Sequence, residues 1–343
     1  MDSERFKAIT SEYSSLSIAV LGDFCLDRYL EIDPARKEIS IETGLPVHNV
    51  SNVRALPGGA GTIVNNLSAL GVRKIYPIGL VGEDGEGYEL CRALGQRPGV
   101  TTEALVRTSQ RRTFTYCKPM MCHSSGRQEE LSRFDFKNWT PTPALLQGLI
   151  IGKLEEVAHE VDAVVILDQV DVPETGVVTR MVLNRVKSLA KENSDLVVIA
   201  DGRRSLRDFP PVIFKMNAAE LKGLVGAKAD LSFDEVGKTA AELALQNCRS
   251  VFVTLAEQGM VGTSADGEYA HVPALPLRGE IDVVGAGDAV SANLAAAIAA
   301  GASLKETLQI ANAAASVVIH KLGTTGTANV GEIEMLMPES SAS

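Results

Sequence analysis

The sequence predicts an α/β protein with a mostly parallel sheet and helices on both of its faces. Three observations predict it. Short apolar, β-branched runs recur along the chain: SIAVLGD (17–23), KIYPIGLVG (74–82), AVVILD (163–168), LVVIAD (196–201) and SVFVTL (250–255). Runs of this length without polar alternation suit strands covered on both faces. Helix-like stretches separate them, and strand–helix alternation is the pattern of a parallel sheet. The 343 residues, 45% hydrophobic and 22% charged, have an ordinary globular balance, which excludes disordered and fibrous classes.

The elements follow in order. Strand 17–23 ends in a polar turn. A helix is expected over 59–70, closed by Gly71, then strand 74–82 and a helix over 83–94. Ser232 with Glu235, and Ser303 with Glu306, have capping-box spacing, in which each side chain satisfies a free backbone N–H of the other residue. They open helices to about residues 246 and 320. Small residues from Ala289 to Ala300 form a further helix, ended by Gly301. Two segments, 28–53 and 112–136, break the rhythm with short alternating stretches. They read as antiparallel strand material forming a small lid over a site. The PESSAS tail (338–343) is expected to fray.

Charge and composition narrow the function. Lys and Arg total 33 against 43 Asp and Glu, a net charge of −10, which argues against holding a nucleic-acid backbone or an anionic membrane. A small phosphate compound can still be held by backbone N–H groups and a bound metal. No run approaches the ~18 apolar residues of a membrane helix. The acidic, polar start lacks a signal-peptide core. Cys25, Cys91, Cys117, Cys122 and Cys248 form no C-x-x-C pair, so reduced thiols in a cytoplasmic protein are expected. The five histidines show no metal-ligand spacing. Gly237-Lys-Thr239 resembles the end of a P-loop but lies inside a predicted helix, and no G-x-G-x-x-G follows the first strand.

Three motifs carry chemistry. Gly285, Ala286 and Gly287 run straight into the small-residue helix, whose first N–H groups lack intrahelical partners. That is an anion hole, suited to a transferring phosphate. Asp288 follows at the helix start, placed to take a proton from a substrate hydroxyl. Gly58 and Gly59 open the helix ending at Gly71, where a sugar can lie on bare backbone with Asp27 accepting from its hydroxyls. Asn217 and Glu220, three apart at a helix start, suit a water-coordinated Mg²⁺ beside phosphates. Each motif alone also reads as ordinary local structure: a first-turn acid, a packed turn, an N-cap followed by a solvated Glu.

Together, in this order, PGGAGTIVNNLSALG with IGLVGEDGEG, NAAE and IDVVGAGDAV resemble the signatures of the ribokinase-like (PfkB) carbohydrate kinases over about 17–329. Within that family GDFCLDRY, ISIETGLPV, ELSRFDF and KLGTTG are similar to stretches of the heptose-7-phosphate kinases of ADP-heptose synthesis. Bifunctional members carry a nucleotidyltransferase domain after the kinase, and this chain is expected to end before one.

The resemblance implies a ribokinase-like three-layer α/β/α core over 1–330, with the lid segments inserted and a tail over 331–343. It implies ATP and Mg²⁺ as cofactors, a sugar or sugar phosphate as acceptor, and a homodimer formed through the lid. Asp288 is then the general base and Gly285, Ala286 and Gly287 the anion hole. Asp27, Gly58, Gly59 and Asn66 hold the sugar. Thr254, Gly259, Asn312 and Asn217 border the nucleotide, and Glu220 organises the Mg²⁺ through water. Asp282 stands where many relatives have a ligand for a monovalent cation such as K⁺.

Three departures from the family pattern stand out: Thr62 for Asn, Ala256 for Gly, and Val283 for Thr. The mechanism implied is in-line transfer of the γ-phosphoryl of ATP to a sugar hydroxyl. Arg203 and Arg204, after the strand ending in Asp201, are candidates to pair with a phosphate. Asp168 and Asp201 end strands and are assigned a lining role only. The alternatives are a kinase of fructose, ribose or a nucleoside in the same fold, and a catalytically weak sugar- or nucleotide-binding protein.

Overall fold

A computed structural model describes residues 1–323 and 325–337. The tail at 338–343 and one residue of the KLGTTG stretch, Thr324, lie outside the described residues. In chain order the first third contains α1 (Ser3–Ser11), β1 (Ser17–Gly22), β2 (Phe24–Ile39), β3 (Pro46–Gly59), α2 (Ala60–Ala69), β4 (Lys74–Gly82), α3 (Gly85–Gly95) and β5 (Leu105–Thr108). The middle contains β6 (Phe114–Cys122), β7 (Gln128–Glu130), β8 (Phe134–Phe136), α4 (Ala144–Val157), β9 (Ala163–Asp168), α5 (Arg180–Glu192) and β10 (Val197–Gly202). The last third contains β11 (Ile213–Asn217), α6 (Ala218–Val225), α7 (Phe233–Asn247), β12 (Val251–Thr254), β13 (Met260–Thr263), β14 (Tyr269–Val272), α8 (Ala286–Ala299), α9 (Leu304–Val318) and α10 (Val330–Glu334).

Among the described residues the large sheet has the order β14-β13-β12-β11-β10-β9-β1-β4-β5. Its pairs are parallel except β12–β13 and β13–β14. Alternate side chains serve opposite faces, as the strand period of two requires. Ile18 and Val20 enter the core under α2, α8 and α9, whereas Ala19 and Leu21 enter the core under α4, α5 and α7. The helices thus cover both faces, as the apolar runs predict. The small residues of α8, Ala289, Ala292, Ala295 and Ala296 among them, are fully buried and let α8 lie close against α9 and α2.

A second sheet has the order β3-β2-β6-β7, with β8 also on β6. Residues 28–53 and 112–136 lie in it. One pairing differs from the antiparallel expectation: β2 and β6 are parallel, with Asp27 opposite Tyr116. Both strands leave the same edge of the large sheet, after β1 and after β5, so they travel outward in one direction. The chain between them crosses over through β3, α2, β4, α3 and β5, which parallel pairing requires.

Further elements were not expected, among them α10 (Val330–Glu334), which occupies the start of the segment read as a tail. The polar start folds as α1, capped by Asp2 and anchored by Phe6 and Ile9, one helical turn apart. Strand β11 was hidden because Lys215 and Asn217 interrupt its apolar run. No helix among the described residues is long and apolar enough to cross a membrane.

Candidate active site

Strand β1 lies between β4 and β9, with β5 beyond β4 on one side and β10, β11 and β12 beyond β9 on the other. In such sheets ligands bind outside the strands' carboxyl ends, at the point where strand order reverses. Asp23 follows β1 there, Asp168 ends β9, Asp201 lies near the end of β10, and Asn217 and Thr254 end β11 and β12.

Helix α8 starts at this edge. Gly285 is left-handed (φ 82°) and caps it. Here one expectation is corrected. The Ala286 N–H donates to Val283 O at 3.2 Å, closing a turn, so the open donors are the N–H groups of Gly287 and Asp288, which have no acceptor among the described residues. The Asp288 carboxylate makes no hydrogen bond to the described residues. Its pKa is pushed up to about 7, first by burial and then by Asp201, with Lys215 opposing and Asp27 adding to the rise. A carboxylate near neutrality is suited to accept a proton at physiological pH.

Lys215, unrecognised in the sequence, lies beneath this turn. Its Nζ is 2.7 Å from Asp201 Oδ2, and Ser291 Oγ of α8 donates to the same oxygen at 2.7 Å. A Cβ on Gly287 would sit 3.1 Å from Lys215 Nζ, a tight contact to which the lysine tip would have to yield.

The predicted sugar side adjoins. Asp27 Oδ1 pairs with Lys118 Nζ at 2.8 Å. Gly59 is left-handed (φ 57°) and caps α2, and a Cβ on it would lie 2.5 Å from Asp23 O. The pKa of the buried Cys25 thiol is pushed up by burial, then by Asp27 and by Asp288. Thr62 packs its methyl group 3.5 Å from the Cβ position of Gly285, joining the starts of α2 and α8. Asn66 departs from expectation. It is fully buried, donates to Thr62 O at 2.9 Å and accepts from Ala328 N at 3.4 Å, so it braces α2 and reaches no ligand.

On the predicted nucleotide side, Asn217 and Glu220 form a capping box. Asn217 Oδ1 accepts from Glu220 N at 2.9 Å and Glu220 Oε2 from Asn217 N at 2.7 Å. The spacing that marks Ser232–Glu235 as a cap applies here too. Glu220 Oε1 takes no hydrogen bond from the described residues, and burial raises its pKa. Among the described residues no three His, Cys, Asp or Glu side chains gather as a metal cage. One free, half-buried carboxylate oxygen fits Mg²⁺ that keeps its waters and binds mainly to phosphates.

Thr254 stands opposite Asn217 across the β11–β12 pairing. Gly259 is left-handed (φ 86°) and presses on the Val272–Ala274 backbone. Asn312 Nδ2 donates to Pro273 O at 3.0 Å, so its amide braces that loop. Asp282 Oδ1 accepts from Val284 N at 3.0 Å, and Val283 lacks the side-chain hydroxyl that a threonine would bring to this turn.

Two further groups sit where strand order reverses. Asp23 accepts from Val177 N at 2.7 Å and Gln169 N at 2.9 Å, yet burial and then Asp168 push its pKa up to about 7. Arg204 Nη2 pairs with Asp168 Oδ2 at 2.5 Å. The arginine offered as a phosphate partner is therefore committed to a carboxylate, while Arg203 is exposed.

Comparison with known proteins identifies the family. The pfkB family carbohydrate kinase model matches residues 17–329. The "Bifunctional protein HldE" of Azorhizobium caulinodans is 34% identical over 308 residues, covering 90% of this chain and 61% of that protein. That of Gluconacetobacter diazotrophicus is 32% identical, covering 94% and 64%. The chain thus spans less than two thirds of the length of these curated relatives. Arabidopsis thaliana ribokinase complexed with ribose and ATP superimposes with a TM-score of 0.67 at 20% identity, covering 94% of this chain and 98% of that one. Escherichia coli phosphofructokinase-2 with substrates and products gives 0.70 at 19% identity, covering 94% and 98%. Those two share the ribokinase-like fold. With the family model spanning both glycine-opened helices and the carboxylate at the start of α8, the chain belongs to the pfkB family of carbohydrate kinases.

Proposed function

We propose that the chain transfers the γ-phosphoryl group of ATP to a hydroxyl of a sugar phosphate of the heptose-7-phosphate type. The observation that carries this is Asp288: a carboxylate without a hydrogen-bond partner, near neutrality, beside two open N–H groups and facing Asp27. The acceptor class is supported by the resemblance of GDFCLDRY, ISIETGLPV, ELSRFDF and KLGTTG to stretches of heptose-phosphate kinases and by the HldE relatives.

Bound with Mg²⁺, ATP supplies the phosphoryl group. Asp27, held by Lys118, accepts from sugar hydroxyls. Asp288 takes the proton of the attacking hydroxyl, a contribution of about 10²–10⁴-fold. The Gly287 and Asp288 N–H groups donate to the phosphoryl oxygens as charge spreads over them. Glu220 would hold the Mg²⁺ through water, beside Asn217 and Thr254. The reading includes no potassium step. The second sheet, as a lid, excludes competing water.

The same reading makes the chain a cytoplasmic homodimer. Ile39, Ile41 and Leu45 at the turn between β2 and β3, and Phe134 of β8, are each more than 60% exposed, apolar surface suited to a second copy. Light scattering at the mass of one chain would remove the dimer.

A coupled ADP-release assay over sugars and sugar phosphates tests the function. Turnover is expected with heptose 7-phosphate. Activity on free sugars alone removes the acceptor and keeps the kinase. No turnover on any acceptor favours a sugar- or nucleotide-binding protein.

A further inference from the structure

Lys215 is a buried cation that none of the three motifs includes. It stands on the same face of β11 as Asn217, since Met216 between them enters the opposite core. That face looks toward α8. An ammonium has three N–H donors. One meets Asp201 Oδ2 at 2.7 Å, and no other hydrogen bond from Nζ reaches the described residues. Nζ lies 3.1 Å from where a Cβ on Gly287 would sit, and Gly287 also carries one of the two open N–H groups of α8. Ser291 fixes Asp201 from above by donating to the oxygen that Lys215 meets. The carboxylates facing Lys215 are Asp201 of β10, Asp288 of α8 and Glu220 of α6.

A buried ion pair is a poor way to gain stability, because desolvation consumes most of the attraction. Hydrophobic side chains would join β10 to β11 as well. A charge placed under an anion hole has a different use. We infer that Lys215 is a catalytic residue whose two remaining N–H groups contact the phosphoryl group in transfer. The inference rests on the kinase reading above. In that step the bond from the γ-phosphorus to its bridging oxygen breaks and ADP leaves. The sugar oxygen bonds to phosphorus and its proton goes to Asp288. The ammonium, with the Gly287 and Asp288 N–H groups, meets the charge on the equatorial oxygens.

The test compares the wild-type chain with Lys215→Met and with the double variant Lys215→Met/Asp201→Asn. The double variant removes both charges of the Lys215–Asp201 pair, so it remains informative if the single variant fails to fold. Steady-state kinetics use Mg-ATP and the acceptor that the wild type turns over, with thermal melts as a fold control. Folded double variant is expected to lose about 10²–10³ in kcat, as for removal of one oxyanion-hole donor. The KM for ATP should stay nearly unchanged, because the contact is made only in the transition state. A folded double variant with near wild-type kcat overturns the inference and leaves the kinase reading standing. A wild-type chain without turnover on any acceptor overturns both.

Discussion

The carboxylate of Asp27 lies against the bare α-carbon of Gly58: a Cβ there would collide with Asp27 Oδ2 and Cys25 Sγ. Lys118 holds the other oxygen of Asp27 from the facing strand. The Gly58 position therefore sets where Asp27 points. Gly58→Ala should push the carboxylate aside and lower kcat/KM for the acceptor by about 10²-fold, the cost of misplacing a positioning group by an ångström. The KM for ATP should change little. Kinetics with each substrate varied in turn check this, and an unchanged acceptor KM would remove Asp27 from the sugar site.

Asp288 sets a pH dependence. Its pKa is raised to about 7 by burial and by Asp201, so the ionised base is lost below neutrality. kcat/KM should fall about tenfold per unit on the acid side of pH 7. Asp288→Asn should lower kcat by about 10²–10⁴-fold and abolish that limb. Stability moves the other way. The folded chain keeps a proton that the unfolded chain gives up near the ordinary carboxylate value, so stability present at low pH is lost as pH rises to 7. Asp288→Asn should therefore melt above the wild type at pH 8 and level with it near pH 4. An acid limb that persists in the variant would assign the titration to another group.

Ala256 is held at φ 49°, a left-handed backbone that favours glycine. This is one of the positions where the sequence departs from the family pattern. An alanine there costs about 1–2 kcal/mol. Ala256→Gly should recover about 1 kcal/mol, the relief being partly offset by the greater freedom of glycine in the unfolded chain. A urea titration at constant m reads this directly. A lower midpoint would mean that the Ala256 methyl makes contacts worth more than the strain it causes.

What the sequence made legible follows from locality. Strands β1, β4, β9, β10 and β12 are uninterrupted apolar runs, and the caps of α7 and α9 are three-residue spacings, so each is written in adjacent residues. The parallel pairing of β2 with β6 joins residues about ninety positions apart and has no local signature. Lys215 reads as a break in a strand until β10 supplies Asp201 as its partner. Asn66, well inside the helix that the Gly-Gly turn opens, resembles a ligand residue until the segment before α10 closes over it. The cap at Asn217 was readable, since Ser232 and Ser303 show the same spacing. The stripe of Phe6, Ile9 and Tyr13 that buries α1 was readable too.

The ion pair of Arg204 with Asp168 separates a structural from a ligand-binding arginine. Asp168 is 2% exposed, and Asp23, also buried, raises the negative charge at the same strand ends. Arg204→Ala would leave Asp168 buried without its cation. For a fully buried pair that costs about 3–5 kcal/mol. Arg204 keeps 27% of its side chain in solvent, so about 2–3 kcal/mol is expected here. The neighbouring Arg203→Ala should cost less than about 0.5 kcal/mol, the usual range for an exposed side chain. The loss should also depend on pH. Burial already lifts the pKa of Asp168 and Asp23, with Arg204 opposing in both cases. Without Arg204 both rise further, so the variant binds protons more tightly when folded. Its deficit should be smaller at pH 5 and grow toward pH 8 as the carboxylates are forced to ionise. Chemical denaturation of the two variants at both pH values decides it. Equal losses for Arg203 and Arg204, or a deficit independent of pH, would mean that Asp168 is not held by this contact.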